Sequence, residues 1–267
     1  MSIYERYAPF YDHSGQVRFA LLVKMYLQDL LIRHSVPGRR MLDLACGTGT
    51  LAIEFAAEGW DVVGLDASPA MLAQASAKAD SDLLGQARFI AGDLRRADAD
   101  LPVAAFDLIT CTYDSLNYLR SSAELHACFS AVARLLAPGG LFIGDMNTPY
   151  FLAHDWAVCE VRELPGYVQI ERSSYDPAVA EVTMALTGFV GDDDAGYDRF
   201  DEIHIERGYP PDQIADLVHA AGLVVEAHYD AFSSEPPGPQ SQRIFWLARR
   251  SIGSAVSAPF DRPPEHP

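Results

Sequence analysis

Basic residues are scarce in this chain: 20 Lys and Arg stand against 37 Asp and Glu, a formal net charge of −17. That balance argues against a general grip on nucleic acid, because Lys and Arg must displace counterions from phosphates. The most basic local spot, Arg249-Arg250, is short and reads as a solvated strand end. Cysteine is sparse too. Cys46, Cys111, Cys128 and Cys159 have neither CxxC spacing nor the density of a disulfide scaffold. No window of about 18 residues is apolar enough to span a bilayer, and Met1 to Asp12 is rich in Tyr and charge rather than basic and apolar. The expectation is a cytoplasmic protein with no membrane and no nucleic acid among its partners.

What is present is a globular composition, 49% hydrophobic over 267 residues. That suits one large α/β domain, or a domain carrying an insertion. Ala20, Val23, Leu27, Leu30 and Leu31 recur near helical spacing, so Ser2 to His34 reads as helical until Pro37-Gly38 breaks it. From Arg39 strands and helices alternate. Met41 to Ala45, Val62 to Leu65, Arg88 to Ile90, Phe106 to Cys111 and Leu141 to Asp145 read as strands. Leu51 to Glu58, a segment capped by Ser68 with Pro69 behind it, and Ala123 to Leu136 read as helices. Such alternation implies a parallel sheet covered on both faces.

The rhythm changes after Tyr150. Trp156 to Arg207 holds several β-prone runs and no helical pattern, with a hairpin loop at Gly191 to Gly196, and Trp156 reads as packing. A helix opened by Pro210-Pro211 and two closing strands follow, and the Pro- and Ser-rich end reads as disordered. The expected organisation is a helical segment (1–38), a core (39–150), an antiparallel insertion or cap (151–208), core-completing elements (209–250) and a tail (251–267).

Gly47-Thr48-Gly49 directly follows the first strand, where backbone N–H groups and a helix N-terminus can approach a ligand. Alone this is weak, because Gly47 to Ala52 also satisfies the GxGxxA dinucleotide pattern. Three acids decide between the readings. Asp43, inside the first strand, is unwelcome beside phosphates but suits an ammonium group, unless it only orients the loop. Asp66 ends the second strand nineteen positions past Gly47, where a carboxylate can accept from two ribose hydroxyls. Asp93 ends the third strand, where it can accept from an adenine amine. A ligand with an amine, a diol and an aminopurine, and no phosphate, fits this set.

In order, Leu42 to Thr50, Gly64 to Ser68, Gly92 to Leu94, Phe106 to Ile109 and Leu135 to Gly140 resemble the successive motifs of class I S-adenosylmethionine-dependent methyltransferases. The resemblance runs over roughly residues 40 to 147. It implies an α/β fold: a doubly wound, mostly parallel seven-stranded Rossmann-like sheet with an antiparallel β insertion. It implies S-adenosylmethionine as cofactor, held by backbone at Ala45 and Gly47, by Gly49, and by Asp66 at the ribose. Ala67 and Gly92 belong to the same motifs, Met71 would pack on the adenine, Leu94 would meet it through backbone, and Thr112 would lie near the sulfonium. The Tyr-rich N-terminus and Tyr113 to Tyr118 resemble bacterial small-molecule methyltransferases, including N-methyltransferases of aminosugars. Those enzymes fold the N-terminal segment over the cofactor, which gives Tyr11 a ligand role.

A small-molecule N or O acceptor is therefore expected, with no metal. Tyr7 either packs or meets the acceptor, and Asn117 either meets it or begins a helix. Glu202, His204 and Glu206 share one strand face: solvated in one reading, lining an acceptor pocket in the other, with His204 as proton acceptor. Alternatives are a nucleic-acid or protein methyltransferase, a nicotinamide-dependent oxidoreductase, or an inactive cofactor-binding regulator. The oligomeric state is left open.

Overall fold

The computed structural model describes residues 3–79, 83–192 and 194–250. The expected tail, 251–267, lies outside the described residues. Strands β1 (Arg40–Leu44), β2 (Asp61–Asp66), β3 (Gln86–Ala91), β4 (Phe106–Cys111), β5 (Leu136–Asn147), β10 (Leu223–Asp230) and β11 (Arg243–Arg250) form one sheet in the order β10-β11-β5-β4-β1-β2-β3. All neighbours pair parallel except β11, which is antiparallel to both β5 and β10. β4 is buried along its whole length and β1 after its first residue, as strands covered on both faces must be.

Alternate residues of β1 feed two cores. Leu42 and Leu44 pack toward α5 (Ser122–Leu135) and α7 (Pro211–Ala220), while Met41 packs toward α2 (Val17–Arg33) and α3 (Thr50–Ala57). From β1 the chain first winds outward through β2 and β3, then returns to place β4 on the other side of β1. A crevice at the carboxyl ends of β1 and β4 follows from that switch of direction.

Gly49 shows what holds the turn after β1. It caps α3 with φ +73°, and a Cβ there would lie 2.7 Å from the Phe89 ring and 2.8 Å from the Ala75 methyl. Gly49→Ala combines left-handed strain with overpacking and should cost about 2–4 kcal/mol, read as a lower midpoint in denaturant unfolding.

The N-terminal segment is helical but not continuous. Helix α1 (Ala8–Tyr11) runs into a π-type turn (Asp12–Gln16) before α2, and the break falls at Gly15, φ +100°. Strands β6 (Cys159–Leu164), β7 (Tyr167–Asp176), β8 (Glu181–Asp192) and β9 (Gly196–Arg207) make a separate antiparallel meander between β5 and α7. A short helix, α6 (Pro149–His154), leads into it and was not expected. Its signal was legible: Pro149 is the first helical residue, and Thr148 Oγ1 accepts from Phe151 N.

The face of β9 corrects the solvated reading. Glu202, His204 and Glu206 are 5%, 2% and 3% exposed, whereas Ile203 between them is 52% exposed. The meander turns a polar face inward because backbone N–H groups and polar side chains of the core await it there.

Candidate functional site

At the carboxyl ends of β1 and β4 lies a cavity of about 390 Å³. Tyr11, Asp43, Ala45, Gly47, Asp66, Ala67, Met71, Gly92, Asp93, Leu94 and Thr112 all line it. Gly49 does not, and this is a correction: its freedom serves the packing against Phe89 and Ala75. Ala45 and Gly47 both take positive φ, 54° each, which exposes backbone groups of the loop to the cavity.

Asp66 organises this loop. Its Oδ2 accepts from Gly47 N and its Oδ1 from Ser68 N, each at 2.8 Å, so it ties the glycine turn to the start of α4 (Pro69–Lys78). Burial pushes its carboxyl up, and those N–H groups partly offset the shift. Asp43 is 2% exposed, and its Oδ1 accepts from Thr110 Oγ1 at 2.7 Å, so its bond runs to β4 and not to the loop backbone. Burial pushes the Asp43 carboxyl up to about 7, against the opposing Thr110 hydroxyl. Asp93 lines the cavity, but the expected free acceptor is already engaged. The Arg95 guanidinium grips both oxygens at 2.5–3.0 Å and holds the carboxyl below its ordinary range.

The N-terminal segment, which the resemblance places over the cofactor, forms a wall of this cavity. Asp12 accepts from Thr48 Oγ1 and from Lys78 Nζ, both at 2.6 Å, which latches the segment to the glycine turn. Tyr4 and Gln16 line the cavity from the same segment, and Tyr113 donates to Gln16 Oε1.

A second chamber of about 350 Å³ adjoins the first and shares Tyr4, Tyr11, Gln16, Tyr113 and Tyr118 with it. Tyr7, Trp156, His204 and Glu206 line it, together with Asp114, Asn147 and Arg243 from the core. The Tyr7 hydroxyl is bonded to Ser14 Oγ at 2.6 Å. His204 Nδ1 meets the Tyr118 hydroxyl at 3.0 Å, which in turn meets the Tyr4 hydroxyl at 3.0 Å. Arg243 donates to Asp114 at 2.9 Å and to Asp145 at 3.1 Å, and Asn147 Nδ2 donates to Glu206 at 3.0 Å. Burial, reinforced by the negative charge of Asp114, pushes the Glu206 carboxyl well up.

Two expected acceptor contacts are corrected. Asn117 is fully buried and lines neither cavity. Its Nδ2 donates to the carbonyls of Asn147 and Arg207, and its Oδ1 accepts from Asn147 N, so the amide rivets β9 to β5. Glu202 also lies outside both linings. Its carboxylate accepts from the backbone N–H groups of Tyr4, Arg6 and Tyr7 at 2.7–3.4 Å, so it pins the N-terminal wall.

Residues 41–140 match the methyltransferase domain family model. A protein of Geobacillus sp. (strain WCH70) named as a methyltransferase is 31% identical over 92% of this chain and 99% of its own. The dTDP-3-amino-3,4,6-trideoxy-alpha-D-glucopyranose N,N-dimethyltransferase of Streptomyces venezuelae is 28% identical, over 75% of this chain and 81% of its own. The crystal structure of an S-adenosylmethionine-dependent methyltransferase from Clostridium acetobutylicum ATCC 824 superposes with a TM-score of 0.79 at 27% identity, covering 94% of this chain and all of that one. The chain belongs to the S-adenosylmethionine-dependent methyltransferases. It is an enzyme, its cofactor is S-adenosylmethionine, and the oxidoreductase alternative falls. No helix among the described residues is long and apolar enough to cross a membrane.

Proposed function

We propose that this enzyme N-methylates a small molecule held in the second chamber, with the cofactor in the first. The carrying observation is the pair of adjoining cavities, about 390 and 350 Å³, that share five residues of a common wall. A space of that size suits a small molecule rather than a nucleic-acid or protein chain. The aminosugar N,N-dimethyltransferase similarity supports nitrogen as the acceptor atom.

The first cavity fits S-adenosylmethionine by its own chemistry. A Cβ at Gly47 would meet nothing within 4 Å, so the loop backbone stands open to a ligand. Asp43 is a buried carboxyl with no cation beside it among the described residues and would face the ammonium group, while Asp66 would accept from the ribose diol. Met71 and Leu94 would flank the adenine, and Thr112 would sit toward the methyl end. When bound, the cofactor supplies an electrophilic methyl group and departs with the C–S electron pair. The chain orients the acceptor and excludes water, which is most of what such a transfer asks of it. With its Nδ1–H donating to Tyr118, His204 would present a lone pair at Nε2 to take the proton that the nitrogen sheds. The insertion, 151–208, would choose the acceptor.

An acceptor screen that counts demethylated cofactor and locates the new methyl group by mass spectrometry tests this reading. Methylation confined to hydroxyl or carbon acceptors would refute the nitrogen assignment. In the same assay His204→Gln should lower kcat by about 100-fold while cofactor affinity stays within about twofold. Unchanged turnover would leave His204 as packing only.

The state of Asp43 adds a pH dependence. Because its folded value, about 7, lies above the ordinary value near 4, the free protein is favoured at low pH and loses that contribution as pH rises toward 7. A cationic ligand favours the ionised carboxyl, so cofactor affinity should increase as pH rises to about 7. Below that, binding should release nearly one proton, measured by calorimetry in buffers of different ionisation enthalpy. Asp43→Asn should abolish the release. Proton uptake, or none at pH 6 in the unsubstituted protein, would contradict the assignment.

A further inference from the structure

The acceptor chamber has a strongly one-sided chemistry. Asp114, Asp155, Glu160, Glu171 and Glu206 line it, against Arg162 and Arg243. Both arginines are already paired: Arg162 with Glu160 at 2.9 Å, Arg243 with Asp114 and Asp145. The adjoining groove under the β10–β11 connection, about 890 Å³, contributes Asp230 and no Lys or Arg other than Arg243. A phosphate placed anywhere along this path meets carboxylates and, among the described residues, no unpaired cation.

One buried acceptor points the same way. Asn147 is 2% exposed and its Oδ1 has no hydrogen-bond partner among the described residues. Its Nδ2 is committed to Glu206, so the open position is an acceptor next to a second acceptor. His204 is also 2% exposed; its Nε2 stands 3.5 Å from a Glu202 carboxylate oxygen, and whether it offers a donor or an acceptor follows the tautomer set by the Tyr118 contact at Nδ1. A buried acceptor left without a donor is costly, so the site is built for a ligand that brings N–H groups. Burial pushes the Glu206 carboxyl well up, and a cation beside it relieves that cost.

We propose that the acceptor is a phosphate-free small amine that enters as the ammonium ion and is held by Glu206, Asp114 and Asn147 Oδ1. The inference rests on the small-molecule N-methyltransferase reading and divides its substrates. An unactivated amino sugar or similar amine is taken, whereas a nucleoside-diphosphate-linked amino sugar, the kind of compound named for the Streptomyces relatives, is refused. The ammonium would give its proton to a chamber base, after which the nitrogen lone pair would form the new N–C bond as the methyl–sulfur bond breaks and its electron pair leaves on sulfur.

The test uses the full chain saturated with S-adenosylhomocysteine and matched probes. These are methyl 3-amino-3,6-dideoxyglucopyranoside, its 3-hydroxy counterpart, the dTDP-linked amino sugar, and spermidine, titrated by calorimetry at low and moderate salt. At least one phosphate-free amine should bind ten times more tightly than both the hydroxy sugar and the dTDP-linked sugar, and Glu206→Gln should remove most of that advantage without changing S-adenosylhomocysteine binding. Equal or tighter binding of the dTDP-linked sugar would overturn the proposal, as would amines that bind no better than the hydroxy sugar. If the dTDP-linked sugar is turned over to an N-methyl product, the N-methyltransferase reading survives and only the present inference fails. Methyl transfer to the hydroxy sugar alone would end both.

Discussion

Asp66→Ala should weaken S-adenosylmethionine binding by about 2–3 kcal/mol, roughly 30- to 150-fold. Two losses combine. A ribose diol would lose a charged acceptor, and the glycine turn would lose the carboxylate that holds Gly47 N and Ser68 N at 2.8 Å. Asp66→Asn keeps one acceptor oxygen, so its loss should be the smaller, and the difference between the two variants measures the charge. Calorimetry reads both. Native-like thermal unfolding of the ligand-free variant would show that binding, not folding, has been removed. Affinity equal to that of the unsubstituted protein in a folded Asp66→Ala variant would take Asp66 out of the cofactor site.

The second large effect falls on a residue that touches neither cavity. Asn117→Ala removes three hydrogen bonds at a fully buried position and leaves Asn147 N without its partner. About 3–4 kcal/mol of stability should go, lowering Tm by roughly 10 °C for a chain of this size. Because the lost bonds join β5 to the end of β9, the damage should centre on the meander. Limited proteolysis is expected to cut within residues 156–207 well before the sheet unfolds. KM for the acceptor should rise more than the dissociation constant of the cofactor. A variant with unchanged Tm and a selectively raised KM would return Asn117 to acceptor contact.

Asn117 also shows where the sequence stopped speaking. The glycine turn, Asp43 and Asp66 were legible because their placement is local: a strand, a tight turn and a helix start fix them within a few residues of one another. Position after β4 placed Asn117 near the crevice correctly, but its contacts, Asn147 and Arg207, lie 30 and 90 residues away. No short window reports which way such an amide points. Glu202 failed in the same manner, since its partners are backbone groups of Tyr4, Arg6 and Tyr7. Alternation along β9 gave the two faces and not which one was inward, because the usual rule of apolar inside is reversed there. The chamber itself gathers Asp114, Asn147, His204 and Arg243 from four separate segments, a constellation that exists only once the meander has closed over the sheet. Asp93 lines the cavity, and its pairing with Arg95, two residues on, is local enough for the sequence to carry it.

Tyr4 and Tyr11 stand in the walls of both cavities, and the segment that carries them is tied down by Glu202 and by the Asp12–Thr48–Lys78 latch. If spent cofactor leaves by swinging this segment aside, the same movement unroofs the acceptor. Spent cofactor and methylated product would then leave through one opening, and any change that loosens the latch would quicken both departures together.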